Sequence, residues 1–304
     1  MNVPLTLPFR SALVTGASGF IGSALARRLR KQGVRVTGVA TRPRPELDPE
    51  LEWSFGDLSD PGYVARLLEE QEPEVIFHLA SYVTGMRDLD AVLPAFHSNL
   101  ASTVNLLTFA QRGGCQRILL TGSLEEPEGE NPVPPSPYAA AKWAGSGYAR
   151  MFHALYDTPV VTARLFMVYG PDQKDRNKLI PYVIRSFLTG TPPRLSSGVR
   201  QVDWIYVDDV VDGYLALATA EGVEGETVDI GSGELHTIRE VVEEIRNQMD
   251  PGRELQWGSL EDRPMERIRV ADLSTAERFG WRPKTPLREG LANTIDWYRR
   301  HPDP

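Results

Sequence analysis

Tyr138 and Lys142 stand four residues apart, a spacing that puts both side chains on one face of a helix. A tyrosine alone is a poor acid or base near neutrality, because its free pKa is about 10. An ammonium beside it favours the phenolate and brings the group toward a working range, so the pair suits proton transfer to and from an oxygen. Ser123 closes the apolar run RILLTGS (117–123) and could hydrogen-bond the same oxygen. The connection between them carries Glu125, Glu126, Glu128, Glu130 and a run of prolines. Taken alone, Tyr-x-x-x-Lys also fits a surface pair, and acid with proline fits a solvated loop.

A second pattern lies upstream. TGASGFIG (15–22) places Gly16, Gly19 and Gly22 between an apolar run and a helical one. Gly16 permits a tight turn, Gly19 lets backbone approach a pyrophosphate, and Gly22 allows close helix–strand packing. The helix start offers free N–H groups and a positive dipole end. In this context the glycines predict a dinucleotide site. NAD sites usually carry an acid after the second strand to hold the ribose 2′-hydroxyl. Here the chain reads GVATRPRP, with Arg42 and Arg44, and an arginine there would accept a 2′-phosphate. The expectation is therefore NADP(H), with NAD(H) as the alternative; two solvated arginines are the plainer account. Asp57, in GDLSD, could receive an adenine amino group or cap the helix that follows.

These groups need a scaffold. SALVT (11–15), VRVTGVA (34–40), LEWSF (51–55), EVIFHLA (74–80), RILLTGS (117–123) and PVVTARLFMVYG (159–170) read as strands. Helical patterns separate them: from Ile21 to Gly33, over 62–71 after Asp60-Pro61, over 91–112, and over 138–156 entered through Pro137. The alternation predicts an α/β fold with a doubly wound parallel sheet. Residues 171–203 read as loop, 204–220 as a strand and a helix, ETVDIGSG as a strand, TIREVVEEIRNQM as an amphipathic helix, and 283–300 as a tail ending in a helix. The expected division is 1–170 as the dinucleotide-binding unit and 171–304 as a smaller lobe over the carboxyl ends of the strands, with 204–220 returning to the first unit.

Composition narrows the function classes. The 304 residues carry a formal net charge of −8, which argues against a nucleic-acid partner. One cysteine, Cys115, can make neither an internal disulfide nor a cysteine-based metal site, and a reducing cytoplasm is the simplest location. No run is long and apolar enough to span a membrane, and residues 1–10 do not read as a signal peptide. No metal is expected.

Together the motifs resemble extended short-chain dehydrogenase/reductases of the nucleotide-sugar epimerase/dehydratase/reductase group. The matching pieces are TGASGFIG, GDLSD, HLAS (78–81), NLASTVNLL (99–107), TGS (121–123), SPYAAAK (136–142), RLFMVYGP (164–171), DWIYVDDVVDG (203–213) and GWRPKTPLREGL (280–291), in the family's order along almost the whole chain. The resemblance implies a Rossmann-type sheet with a C-terminal substrate-binding lobe, and Ser123, Tyr138 and Lys142 as catalytic triad. Tyr138 would exchange a proton with a sugar oxygen while nicotinamide exchanges a hydride with the same carbon. Lys142 would also hold the nicotinamide ribose. The implied cofactor contacts are Gly16, Ser18, Gly19, Phe20, Ile21, Gly22, Arg42, Asp57, Leu58, Leu79, Ala80, Ser81, Asn99, Tyr138 and Lys142, with His78 opening the 78–81 lining. The family often dimerises through two long helices, here 91–112 and 138–156, as a four-helix bundle, so a homodimer is expected.

Two departures bear on the substrate and the reaction. Met167 stands where many members place an asparagine against the substrate diphosphate, which shifts that task to Arg200 and Arg263, with Asn177 and Lys178 as weaker candidates. Ser123-Leu-Glu-Glu-Pro replaces the usual Val-Tyr-Gly segment. Glu125 is placed like the extra acid/base of sugar 4,6-dehydratases, yet Gly-Ser-x-Glu-Glu also resembles GDP-4-keto-6-deoxymannose reductases. Glu126, Glu128 and Glu130 read as solvated. The first expectation is an NADP(H)-dependent reductase of a 4-keto-6-deoxy nucleotide sugar. A 4-epimerase or 4,6-dehydratase with internally recycled cofactor is the alternative, and a non-catalytic dinucleotide sensor is disfavoured by the presence of both Tyr138 and Lys142.

Overall fold

Short apolar runs become buried strands, and the helices between them cover both faces of one sheet. The computed structural model describes residues 7–44, 47–173, 175–262 and 268–302. The first half runs β1 (Ser11–Thr15), α1 (Phe20–Lys31), β2 (Arg35–Ala40), β3 (Glu52–Phe55), α2 (Pro61–Gln71), β4 (Val75–His78), α3 (Val92–Ala95), α4 (Ser102–Gly113), β5 (Arg117–Ser123), α5 (Pro137–Tyr156) and β6 (Val160–Leu165). The second half runs β7 (Met167–Tyr169), α6 (Leu179–Leu188), β8 (Gln201–Tyr206), α7 (Val207–Thr219), β9 (Thr227–Ile230), β10 (Leu235–Thr237), α8 (Ile238–Met249), α9 (Ser274–Arg278) and α10 (Leu287–Arg300).

Seven strands form a parallel sheet in the order β3-β2-β1-β4-β5-β6-β9. The order reverses between β1 and β4, and open α/β sheets bind ligands at the crevice such a reversal leaves. One face packs on α1 and α7 through Leu25, Leu29, Val210 and Tyr214; the other packs on α2, α4 and α5 through Val64, Leu106 and Phe152. A second sheet, β10-β8-β7, packs with α6, α8 and α10 around Tyr169, Ile184, Val241 and Leu291. No helix among the described residues is long and apolar enough to cross a membrane.

Local chemistry explains where the site-bearing helices begin. Pro61 and Pro137 each occupy the first turn, where a missing N–H costs nothing. Asp60 Oδ1 accepts from Gly62 N at 2.8 Å and Ser136 Oγ from Ala139 N at 3.1 Å, caps worth about 1 kcal/mol each. Asp60, not Asp57, is thus the helix cap; Asp57 instead closes the preceding turn, its Oδ1 accepting from Ser59 N at 2.8 Å.

Two expectations change. The run 159–170 is not one strand. It breaks at Phe166, so that β6 stays in the large sheet while β7 pairs with β8 in the small one. Both strands are largely apolar, which hides such a switch from the sequence. The stretch 171–203 is not all loop, because α6 lies within it, with Ile180, Val183, Ile184 and Phe187 buried at helical spacing. Pro181 falls in its first turn and so does not break it.

Candidate active site

β5 and α5 bring the expected triad together. Ser123 is the last residue of β5, and Tyr138 and Lys142 face it from the first turns of α5; all three are buried. The Tyr138 hydroxyl is hydrogen-bonded to Ser123 and to Ser81, at the carboxyl end of β4. Lys142 Nζ donates to the Thr121 carbonyl at 2.9 Å and lies 6.0 Å from the Tyr138 ring centroid. The phenol, a hydroxyl and an ammonium therefore converge beside the switch point of the sheet.

Burial is the largest influence on both titrating groups. It pushes the Tyr138 phenol well above its ordinary value, against the pull of the Ser123 and Ser81 hydrogen bonds; Glu125 and Glu126 push it further up. Burial lowers Lys142 to about 8, with Glu126 acting in the opposite sense. Burial thus favours the protonated phenol of Tyr138, and a positive charge beside it would favour the phenolate.

Asn99 is buried in a π-helical turn, Phe96–Ala101, between α3 and α4. Its Oδ1 accepts from Ser81 Oγ at 3.0 Å and Tyr82 N at 2.7 Å, and its Nδ2 donates to Tyr82 O at 3.1 Å. Its side chain is committed to the 81–82 loop and so positions the Ser81 hydroxyl against Tyr138. His78 differs from its neighbours Leu79, Ala80 and Ser81: its side chain is buried and does not line the crevice. Nδ1 pairs with Thr15 Oγ1 at 2.8 Å and Nε2 with Thr103 Oγ1 at 3.2 Å. Burial drops its pKa to about 3, so it ties β1, β4 and α4 together as a neutral ring.

The glycine-rich turn fits a dinucleotide. Gly16 adopts φ of +68°, and a Cβ there would meet the Ala80 and Leu79 backbone at 2.8 and 2.9 Å. A Cβ on Gly22 would stand 2.2 Å from the Gly16 carbonyl oxygen. Backbone therefore fills the space that side chains would occupy elsewhere, leaving the α1 start open for an anion. Ser18, Gly19, Phe20 and Ile21 are partly exposed around it. Gly16 N donates to Val39 O at 3.2 Å, which sets the cradle beside the end of β2, where Arg42 and Arg44 are exposed. Leu58 is buried and its carbonyl is held by Asn105 Nδ2 at 3.0 Å, while Asp57 is exposed. A dinucleotide would be held by this turn, by 57–58 and by 79–81, with Tyr138 and Lys142 at its reactive end.

The acidic connection corrects one reading. Glu126 is not solvated: it is 7% exposed, its Oε1 accepts from Ser123 N at 2.7 Å, and its Oε2 accepts from Ser146 Oγ at 2.8 Å. Glu128 is exposed but pairs with Arg164 and Arg269. Glu125 is exposed at the site mouth, with Ser136 Oγ donating to its Oε2 at 3.4 Å. The only sequence signal for Glu126 was its place three residues after the serine, where a tight turn folds a side chain back on the strand end.

The expected diphosphate contacts come from separate segments of the chain. Arg200 precedes β8, and its charge acts on Asp262. Asn177 and Lys178 lie just before α6, and Met167 starts β7 and packs into the small lobe. Arg263 lies outside the described residues.

Residues 12–231 match the model of the NAD dependent epimerase/dehydratase family. The chain belongs to this family. Among its relatives, a UDP-glucose 4-epimerase of Mycolicibacterium smegmatis is 30% identical over 310 residues, covering 94% of this chain and 98% of the relative. A dTDP-glucose 4,6-dehydratase of Xanthomonas campestris pv. campestris is 30% identical over 325 residues, covering 94% and 92%. The crystal structure of Thermotoga maritima UDP-glucose 4-epimerase with UDP-glucose superposes with a TM-score of 0.85 at 25% identity, covering 96% of this chain and all of that one. This epimerase/dehydratase-family member is an NAD(P)-dependent enzyme of nucleotide sugars with a Rossmann-type sheet and a C-terminal lobe. A nicotinamide held at this site would supply the hydride acceptor and donor.

Proposed function

We propose that the enzyme is a 4-epimerase of a nucleoside-diphosphate hexose. Tyr138 removes the proton of the C4 hydroxyl while hydride leaves C4 for the oxidised nicotinamide that the glycine cradle would hold, Ser123 hydrogen-bonds the same oxygen, and Lys142 supplies the positive charge that favours the phenolate. Return of hydride to the other face of the 4-keto sugar and of the proton from Tyr138 completes the inversion. The observation that carries this reading is the buried Ser123–Tyr138–Lys142 constellation at the reactive end of the glycine cradle. The nearly full-length likeness to UDP-glucose 4-epimerase supports it. Dehydration would need further groups to take the C5 proton and release the 6-hydroxyl. Glu125 stands at the site mouth with Ser136 Oγ donating to it, and Glu126 is committed to Ser123 and Ser146.

A second reading, NADPH-dependent reduction of a 4-keto-6-deoxy nucleotide sugar, is favoured by Arg42 and Arg44 after β2 and by Gly-Ser-x-Glu-Glu. One assay separates the two. The enzyme is incubated with UDP-glucose and NAD, and separately with NADPH and a 4-keto-6-deoxy nucleotide sugar. C4 inversion without net cofactor change supports the epimerase; stoichiometric NADPH consumption replaces it with the reductase. Loss of NADPH preference over NADH in an Arg42→Ala, Arg44→Ala double variant would assign the arginines to a 2′-phosphate.

The remaining assignments belong to the same proposal. Arg200, Asn177 and Lys178 contribute to diphosphate binding, and most of residues 1–170, joined by α7 and β9 from the second half, form the dinucleotide-binding unit beneath a substrate lobe. Two copies associate through the 89–96 stretch and α5. Leu89, Val92, Leu93 and Phe96 are exposed at i, i+3, i+4 and i+7, and Trp143 and Tyr148 are exposed on α5. A single, half-buried cysteine suits a reducing compartment such as the cytoplasm.

A further inference from the structure

A buried carboxylate needs a reason to be there, because taking it out of water is costly unless its lone pairs are met and a countercharge is near. Glu126 is such a group. One oxygen accepts the Ser123 amide and the other the Ser146 hydroxyl, at 2.7 and 2.8 Å. Ser146 lies one helical turn beyond Lys142, which lies one turn beyond Tyr138, so 138, 142 and 146 form a single stripe along α5. Glu126 closes the end of that stripe. The surrounding chain is shaped for it. A Cβ on Gly122 would stand 2.7 Å from Glu126 Oε1, and Arg269 donates to the backbone carbonyls of Leu124 and Glu126 at 3.3 and 3.2 Å, holding the turn from outside.

We propose that Glu126 is a positioning residue of the active site: a buried countercharge to the Lys142 ammonium that also fixes the Ser123 backbone and ties it to α5 through Ser146. The proposal rests on the reading of Ser123, Tyr138 and Lys142 as the reacting groups. Among the described residues, what surrounds Lys142 leaves Glu126 as its countercharge. A polar cavity of about 10 Å³ beside the ammonium is lined by Asn99 and Thr103 near α4, Thr121 of β5, Thr162 of β6 and Ser146 of α5, none of them charged. His78 of β4 feels the Lys142 charge but is neutral, and Tyr138 is protonated. Glu125, which acts on Tyr138, is exposed to solvent. Burial lowers Lys142 and Glu126 is the group that opposes the fall. Removing the Glu126 charge therefore moves Lys142 further down, toward losing its proton at neutral pH. Tyr138 also loses a negative neighbour and moves down, so both limbs of a pH–rate profile shift to acid.

The chain has five lysines, so Lys142 can be resolved by ¹³Cε-lysine NMR and assigned with Lys142→Arg. In the wild type it should titrate near 8. In Glu126→Gln, which is isosteric and keeps an acceptor for Ser123 N, it should titrate roughly one to three units lower. Glu126→Asp, which keeps the charge but draws it back, should shift it less and in the same direction, and it serves as the test if the Gln variant does not fold. An unchanged Lys142 titration in the folded variant overturns the proposal. So does a pH–rate profile that falls uniformly with unmoved limbs, since that marks a brace and nothing more. The NMR result needs no turnover: if Tyr138→Phe leaves activity intact, the functional reading fails while the Lys142 shift stands or falls separately.

Discussion

Gly22→Ala is the perturbation whose consequence follows most directly from the geometry. The added methyl would stand 2.2 Å from the Gly16 carbonyl oxygen and 2.8 Å from its carbon, where ordinary contact begins at 3.4 Å. About 1.2 Å must therefore be found, and both contacts are with backbone, so no rotamer change relieves them. Gly16 cannot retreat, because its own Cβ position is already 2.8–2.9 Å from the Ala80 and Leu79 backbone. The start of α1 must tilt or the 16–19 turn must open. Overpacking of this kind costs about 1–3 kcal/mol, which lowers Tm by roughly 2–4 °C for each kcal/mol in a large domain. The same movement displaces the amides that face the pyrophosphate by about 1 Å, a misplacement able to cost on the order of 100-fold. Differential scanning fluorimetry and titration with NADH and NADPH measure both effects. A variant with wild-type Tm and wild-type affinity for both dinucleotides would refute the cradle; a lower Tm with unchanged affinities would leave a packing site that holds no cofactor.

Other outcomes follow from the same structure. Tyr138→Phe should lower turnover by about 10²–10⁴-fold, the range for a positioned acid/base, with dinucleotide binding by titration nearly unchanged. Glu125→Gln should reduce 4-epimerase or reductase turnover only modestly; complete loss, with a dehydration product absent that the wild type forms, would make the enzyme a dehydratase. His78 titrates near 3 in the fold and about 6.5 when unfolded, so the unfolded chain binds the extra proton between these values. Stability should accordingly fall as pH drops below about 6.5 and go on falling toward 3, and His78→Gln should flatten that part of a urea-denaturation series. Leu93→Asp together with Phe96→Asp should convert a dimer to a monomer by light scattering; an unchanged mass would place the interface elsewhere.

The site was legible where its chemistry depends on local spacing. Gly16, Gly19 and Gly22 follow a buried strand and open a helix, and that context predicts a cradle without any knowledge of the rest of the chain. Tyr138 and Lys142 share a face because helix geometry makes i and i+4 neighbours, and Pro137 marks where that helix starts. The helix at Leu179–Leu188 was missed although its apolar residues stand at helical spacing, because proline and arginine on both sides made the whole stretch resemble loop. The break at Phe166 was invisible because both strands it separates are largely apolar.

What the sequence determined alone is the set of candidate reacting groups and the alternation of strands and helices through β6 that carries them, since the glycine turn and the Tyr138–Lys142 spacing follow from short-range periodicity and turn chemistry. Tertiary structure alone decided which charges are buried. Glu125, Glu126 and Glu128 are the same residue type within four positions, and local propensity does not separate them. Only the packing of the 124–128 turn between β5, α5 and Arg269 sends Glu126 inward to Ser123 and Ser146 and leaves its neighbours at the surface. Burial is a property of what comes to lie on top of a residue, and those partners are up to 143 positions away in the chain.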